Sequence, residues 1–268
     1  MRVARFVLSF LLILASSPRL NSQQSTTTPQ RDQQAVAIIS ASLSSMGVSG
    51  YSQGAPQTTS GVAVQDSLAM GTVSLWDGMS GSITLKTKGI GLVRSDFSIN
   101  GNQTAVVANN GSGYVTQGGG KSNLPLWVTK YRRAGHSPVF SRMADYAQPN
   151  TNITYVGLET IAGASVHHIR ISSLPTDGTP VAAEYLISEF HMFIDAASML
   201  PVKTLSFDLS AGAMQNRVPI ETYFSDYRSI QGILVPFRVT RYLRGQKQMD
   251  IVLTSVQLNV GLSSADFQ

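Results

Sequence analysis

The pentamer Gly50-Tyr51-Ser52-Gln53-Gly54 has the G-x-S-x-G form. In α/β-hydrolases this pattern holds a nucleophilic serine on a strained turn between a strand and a helix. Here a helical segment precedes it and a strand-like segment follows, the reverse of that geometry. A chain rich in serine and glycine also meets this pentamer by chance. Ser52 therefore reads as part of a flexible connection, and a secreted serine esterase is the remotest alternative.

The four histidines offer little to a metal or to acid–base chemistry. His167 and His168 are adjacent in a strand-like run, so their side chains point to opposite faces and cannot close on one ion. His191 and Asp195 share one face of another strand, but four residues of strand separate them by about 13 Å. His136 falls in a loop. No metal, no other cofactor and no catalytic residue is expected.

Charge is distributed more tellingly. Between Asp96 and Asp145 there is no Asp or Glu, while Lys121, Lys130, Arg132, Arg133 and Arg142 all fall in that interval, interleaved with Trp127, Tyr131 and Phe140. Such amphipathic residues suit an anionic head group, a membrane surface or an acidic partner protein. The plainer alternative is a solvated loop whose charges balance acids elsewhere. Nucleic acid is not an expected partner, because no helix-turn-helix, zinc-finger or RNA-recognition signature is present. Gly111-Ser112-Gly113 and Gly118-Gly119-Gly120 lack the lysine and the strand-loop-helix setting of a phosphate loop.

The elements that must position these residues begin with a leader. Arg2 and Arg5, the apolar run Phe6–Ala15 and Ser16-Ser17 read as a secretory signal peptide, taken as residues 1–22 with the cut site open between Ser17 and Ser22. Losing Arg2, Arg5 and Arg19 takes the formal charge from +5 to +2. No cysteine follows, so the expectation is an exported protein, periplasmic or extracellular, not lipid-anchored and held without disulfides.

Residues 23–33 are rich in Ser, Thr and Gln and read as a disordered lead-in, and 34–268 as a single domain. Asp32 is a plausible N-cap for a helix over Val36–Met46, where Ala35, Ile38, Ile39, Leu43 and Met46 recur at helical spacing up to Gly47. From Gly61 the period becomes two, with separate strands expected at Gly61–Asp66, Gly71–Trp76, Ser82–Lys88, Val93–Ile99, Thr104–Ala108 and Gly113–Thr116. The rhythm breaks from Gln117 to Asn150, where Pro138 introduces a short helix over Val139–Ala147. Strands resume at Asn152–Val156 and Val166–Ile171, and Leu174–Ala183 reads as a polar loop. Phe190–Asp195, Val202–Leu209, Pro219–Tyr227, Ile233–Leu243 and Met249–Val260 then form a meander. Ile83, Leu85 and Thr87 alternate with Lys86 and Lys88, so one face is apolar and needs a lid.

Phe193-Ile194-Asp195, Met199-Leu200-Pro201-Val202, Ser225-Asp226-Tyr227-Arg228 and Gly232-Ile233-Leu234-Val235-Pro236-Phe237, with the closing Asn259-Val260-Gly261-Leu262, carry a family likeness. This stretch resembles the C-terminal half of the LolA/LolB-like superfamily of outer-membrane lipoprotein-sorting proteins. The resemblance implies a mainly β fold, a strongly curved antiparallel sheet forming an incomplete barrel covered by two or so helices. It also implies a non-enzymatic, soluble envelope protein that holds a lipid or lipid-modified protein between sheet and helices.

On that reading Ile38, Ile39, Leu43, Met46, Phe140 and Met143 line the groove. Lys121, Lys130, Arg132, Arg133 and Arg142 meet an anionic head group or membrane. The chain departs from the pattern in its length, in its loop at Leu174–Ala183, and in Lys86, Lys88 and Arg94, which do not single out the carrier's lid-contacting cation. The alternative is an envelope interaction or sensor module that binds another protein through the sheet edge or the basic segment.

Overall fold

A computed structural model describes residues 28–50, 62–89, 91–125, 128–129, 143, 149–175, 180–209 and 217–268. The first element is α1 (Gln33–Ser45), which starts where the Asp32 carboxylate accepts from the Gln34 and Ala35 N–H groups at 2.8 and 3.2 Å. These are donors that a helix start otherwise leaves without partners. After a short parallel pair, β1 (Val48–Gly50) and β2 (Val62–Ala63), come β3 (Asp66–Leu75), β4 (Ser80–Lys88), β5 (Leu92–Ile99), β6 (Asn102–Asn109), β7 (Ser112–Gln117) and β8 (Gly120–Asn123). The second half holds β9 (Thr151–Ile161), β10 (Ala164–Ser173), α2 (Val181–Ser188), β11 (Phe190–Asp195), β12 (Pro201–Leu209), β13 (Arg217–Ile230), β14 (Ile233–Leu243) and β15 (Gln246–Leu258). A 3-10 turn at Ser264–Phe267 ends the chain.

Strands β3 to β15 form one antiparallel sheet of thirteen, in the order β8-β7-β6-β5-β4-β3-β15-β14-β13-β12-β11-β10-β9. Neighbours along the sheet are neighbours in sequence except at β3–β15, which joins the two halves. Asn100-Gly101, Asn110-Gly111, Ala162-Gly163, Gln231-Gly232 and Arg244-Gly245 reverse the chain with both φ angles positive. That sense matches the twist of the flanking strands. The sheet does not close, since β8 and β9 stay at opposite edges.

Side-chain alternation sorts the two faces. One, here called inner, carries Ala69, Val73, Ile83, Leu85, Phe224, Val235, Phe237, Ile251 and Leu253, all buried in one core cluster with Ile38 and Ile39 of α1. α1 crosses this face diagonally. Its start is tied to β9 through Asp32 N–H to the Ile153 carbonyl at 2.9 Å and Ile153 N–H to the Gln30 carbonyl at 2.8 Å. Its end is tied to the β13–β14 turn by Leu234 N–H donating to the Met46 carbonyl at 2.8 Å. Thirteen helical residues cover about 20 Å, close to the width of the five strands β9 to β13. Gly47 is required there: its φ is +77°, and a Cβ would drive into the Gly232 carbonyl.

The opposite, outer face of β4–β6 is covered by the chain end. The Asp66 carboxylate, 2 % exposed, accepts from the N–H groups of Val260, Gly261 and Leu262 at 2.7, 3.1 and 3.2 Å. Leu262 and Phe267 then pack on Val107, Leu92 and Tyr114. Lys86 pairs with Asp266 at 3.0 Å, Lys88 donates to the Leu262 carbonyl, and Arg94 reaches the Gln268 carbonyl at 3.0 Å.

Four expectations are corrected. The gap expected between Gly61–Asp66 and Gly71–Trp76 is absent, because β3 runs unbroken from Asp66 through Gly71 to Leu75, and Gly61–Asp66 keeps only the short β2 before it. Glycine is needed at 71 since a Cβ would meet the Val252 carbonyl and lie 2.8 Å from Leu253 Cα. The loop expected over Leu174–Ala183 ends early, at Val181, where Pro180 precedes a run of helix-forming residues. The break from Gln117 contains a further edge strand, β8. The lead-in read as disordered through Gln33 is anchored from Gln30 onward on β9. The helix over Val139–Ala147 lies outside the described residues except for Met143, which is helical and fully buried.

Replacing Asp66 with Ala leaves three N–H groups of the terminal segment without their acceptor. Urea unfolding should show a loss of about 3 kcal/mol. A change within 0.5 kcal/mol, roughly the scale of a surface substitution, would mean that the segment is held by Leu262 and Phe267 alone.

Candidate functional site

Among the described residues the two ends of the inner face are packed differently. At the far end the close of α1 packs on the β13–β14 turn. At the near end lie the β3–β4, β5–β6 and β14–β15 turns. Cross-strand pairing puts Leu75 opposite Met249, Ile83 opposite Phe97 and Gly81 opposite Ile99, all on the inner face. Leu75, Phe97, Ile99 and Met249 pack against the core cluster yet stay only partly buried. Because α1 runs from the start of β9 to the β13–β14 turn, it does not pass over this corner. Arg241, opposite Met249, places a cation on the same face.

The expected groove residues divide. Ile38, Ile39, Met46 and Met143 join one buried cluster with the sheet, and Leu43 packs at its margin. Leu75, Phe97, Ile99 and Met249 at the β3–β5–β15 corner are among the hydrophobic residues that stay partly exposed at the margin of this cluster. Phe140, Lys130, Arg132, Arg133 and Arg142, like Ser52 and His136, lie outside the described residues. Lys121 stands on edge strand β8, opposite Thr116, with its ammonium 3.7 Å from the centre of the Tyr114 ring. Tyr114 packs against Val107 and Phe267, which places Lys121 on the outer face.

Two histidines that seemed unrelated along the chain meet on the outer face. His168 Nε2 and His191 Nδ1 are 2.6 Å apart, His168 Nδ1 contacts Glu159, and His191 Nε2 is 2.8 Å from Glu189, which faces Arg217 at 3.1 Å. The register places Arg170 opposite His191 and Phe193 opposite His168, whose ring stacks on it at 4.4 Å. Lys203 of β12 pairs with Glu221 of β13 beside them and lies 5.1 Å from the Phe193 ring. Reading each strand alone hid this relay, because its members are diagonal neighbours on paired strands. No group of three potential ligands converges on a metal position among the described residues.

Burial lowers the His168 pKa against the opposing pull of Glu159, and the hydrogen bond with His191, helped by Arg217, lowers that of Glu189. A carboxylate with a depressed pKa stabilises the fold above its unfolded value and loses that contribution as pH falls. A histidine with a lowered pKa likewise costs stability as pH drops through the histidine range, since the unfolded chain takes the proton first. Both act in one direction, so the thermal midpoint should fall between about pH 7 and pH 4. Glu189→Gln should start lower at pH 7 and fall less, whereas parallel curves for the two proteins would remove Glu189 from the account.

No protein-family model and no curated protein matches the sequence. Solved structures do match in shape. A candidate outer membrane lipoprotein-sorting protein domain from Vibrio parahaemolyticus superposes with a TM-score of 0.55 at 12 % identity, covering 88 % of this chain and 96 % of that one. A DUF1329 family protein from Desulfovibrio piger gives 0.53 at 16 %, over 90 % and 98 % of the two chains. A LolA superfamily protein from Nitrosomonas europaea gives 0.51 at 10 %, over 87 % and 97 %. At such identities the likeness establishes the fold, and the fold of this chain is that of the LolA-like proteins: an unclosed antiparallel sheet with a helix laid across one face.

Proposed function

We propose that this protein is a soluble, non-enzymatic binding protein of the cell envelope that takes up an acyl chain, from a lipid or a lipid-modified protein, between the inner face and its helices. The observation that carries this reading is the open corner at Leu75, Phe97, Ile99 and Met249, continuous with an apolar wall. Each methylene moved from water onto such a surface contributes about 0.8 kcal/mol, so a long chain binds without any reactive residue. Arg241, facing the same corner, suits a carboxylate or phosphate at the head of the chain. Phe140 and Met143 belong to the lid in this reading, and Lys130, Arg132, Arg133 and Arg142 to the contact with an anionic head group or membrane. The leader over residues 1–22 supports export, and among the described residues no helix is long and apolar enough to cross a membrane. The names of two similar folds, a lipoprotein-sorting domain and a LolA superfamily protein, are in keeping with it.

A second reading has one observation in its favour. Beyond the stretch at Ile153 that Gln30–Asp32 pairs, edge strand β9 exposes Val156 at 49 % and Leu158 at 63 %, and among the described residues no further strand of the sheet lies beside it. An extended segment of another envelope protein could add to this edge.

Native mass spectrometry of protein purified from an envelope fraction should show a co-bound lipid. Met249→Glu puts a charge at the open corner, and affinity for a fluorescent fatty acid should fall at least about tenfold with little change in thermal midpoint. Repeatedly empty preparations that also ignore the probe would end the acyl-chain reading and leave the edge-binding one.

A further inference from the structure

The tip of the β3–β4 hairpin stands beside the open corner. Trp76 is 77 % exposed and Met79 40 %, and Trp76 is the most exposed of the large hydrophobic residues described. The tip is not loose. Leu75 N–H donates to the Met79 carbonyl at 2.8 Å, Gly78 N–H to the Leu75 carbonyl at 3.1 Å, and Met79 N–H to the Asp77 carboxylate at 3.0 Å. Trp76 N–H donates to the Gln248 carbonyl at 3.0 Å, which locks this turn to the β14–β15 turn. That second turn exposes Arg244 and Lys247, the latter 3.2 Å from Asp250.

We infer that this double hairpin end docks on an anionic bilayer, with Trp76 and Met79 at head-group depth and Arg244 and Lys247 against lipid phosphates. An indole on a rigid tip loses little freedom when it settles into the interface, where its apolar ring and its N–H are both accommodated. Asp77 is the opposing charge at the tip, and its carboxylate is turned back onto its own turn. Each cation near an anionic surface contributes about fivefold to binding. A bilayer fits better than a protein pocket because apolar tip, cations and open corner all lie at one end of the sheet. Docking there would set Leu75, Phe97, Ile99 and Met249 against the lipid phase. Only this last consequence rests on the acyl-chain reading; docking itself does not.

The chain has two tryptophans, so Trp127→Phe leaves Trp76 as the sole fluorophore. With vesicles of phosphatidylcholine and phosphatidylglycerol its emission should shift to the blue and be quenched by lipids brominated in their chains. Trp76→Ser combined with Met79→Ser in the natural background should weaken vesicle co-sedimentation about tenfold. Arg244→Gln should weaken it about fivefold with phosphatidylglycerol and not with phosphatidylcholine alone. Emission unmoved by vesicles, or co-sedimentation unchanged in the double variant, overturns docking. An emission shift seen with an envelope protein and never with vesicles overturns it in favour of a protein partner. The fatty-acid probe in vesicle-free solution separates the two proposals. Probe binding by the natural protein while it ignores vesicles refutes docking alone, and vesicle binding without probe binding refutes the acyl-chain reading alone.

Discussion

The pairing of β15 with β3 is the constraint on which the rest of the molecule depends. Every other contact along the sheet joins strands adjacent in sequence, whereas this one brings the end of the chain beside its first long strand and turns two meanders into one surface. It needs a close approach at Gly71, where any side chain would collide with the backbone of Val252 and Leu253. The register shifts between Leu253 and Ser255, beside that glycine. A bulge next to a residue without a Cβ bends a strand and increases its twist, so the junction that unites the halves also helps to curve them.

An unclosed sheet has two faces and two edges to satisfy, and this chain covers its two halves differently. On the β9–β13 half, α1 supplies the inner cover and is held at both ends by main-chain hydrogen bonds, so its diagonal course is set by its anchors as much as by its apolar stripe. On the β4–β6 half, the outer face is covered by the terminal segment, fastened by Asp66 and by cations from β4 and β5. Ser263 N–H, together with Lys86, holds the Asp266 carboxyl down at about 2. Lys86, Lys88 and Arg94 therefore serve the chain end and do not face the helix-covered side. Among the described residues neither cover reaches the inner corner at the near end, where Leu75, Phe97, Ile99 and Met249 stay partly exposed.

The outer face of β9–β12 shows how pairing creates chemistry that no single strand contains. His168 and His191 sit on different strands with carboxylates on either side of them, and the sheet register brings the two rings into contact. His167, by contrast, points to the inner face and meets Tyr155 at 3.1 Å, as the alternation of neighbouring residues requires.

Much of the local structure was legible in the residues. Asp32 with the Ala35, Ile38 and Ile39 stripe marked α1, alternation marked the strands, glycine-containing turns marked the reversals, and the motifs around Ile194, Pro201 and Val235 pointed to the LolA-like fold. These depend on interactions between residues a few positions apart, or on a pattern repeated in sequence. Gly71 was misread because a glycine that breaks a strand and one that admits a neighbouring backbone are the same letter. The cover of Ile38 and Met46 by the sheet, the meeting of His168 with His191, the exposure of Trp76 and the partial exposure of Met249 were decided only in three dimensions. The reason is physical: each depends on register and on which face a second, distant segment occupies. One residue of slip would move every strand side chain to the other face without changing a local preference.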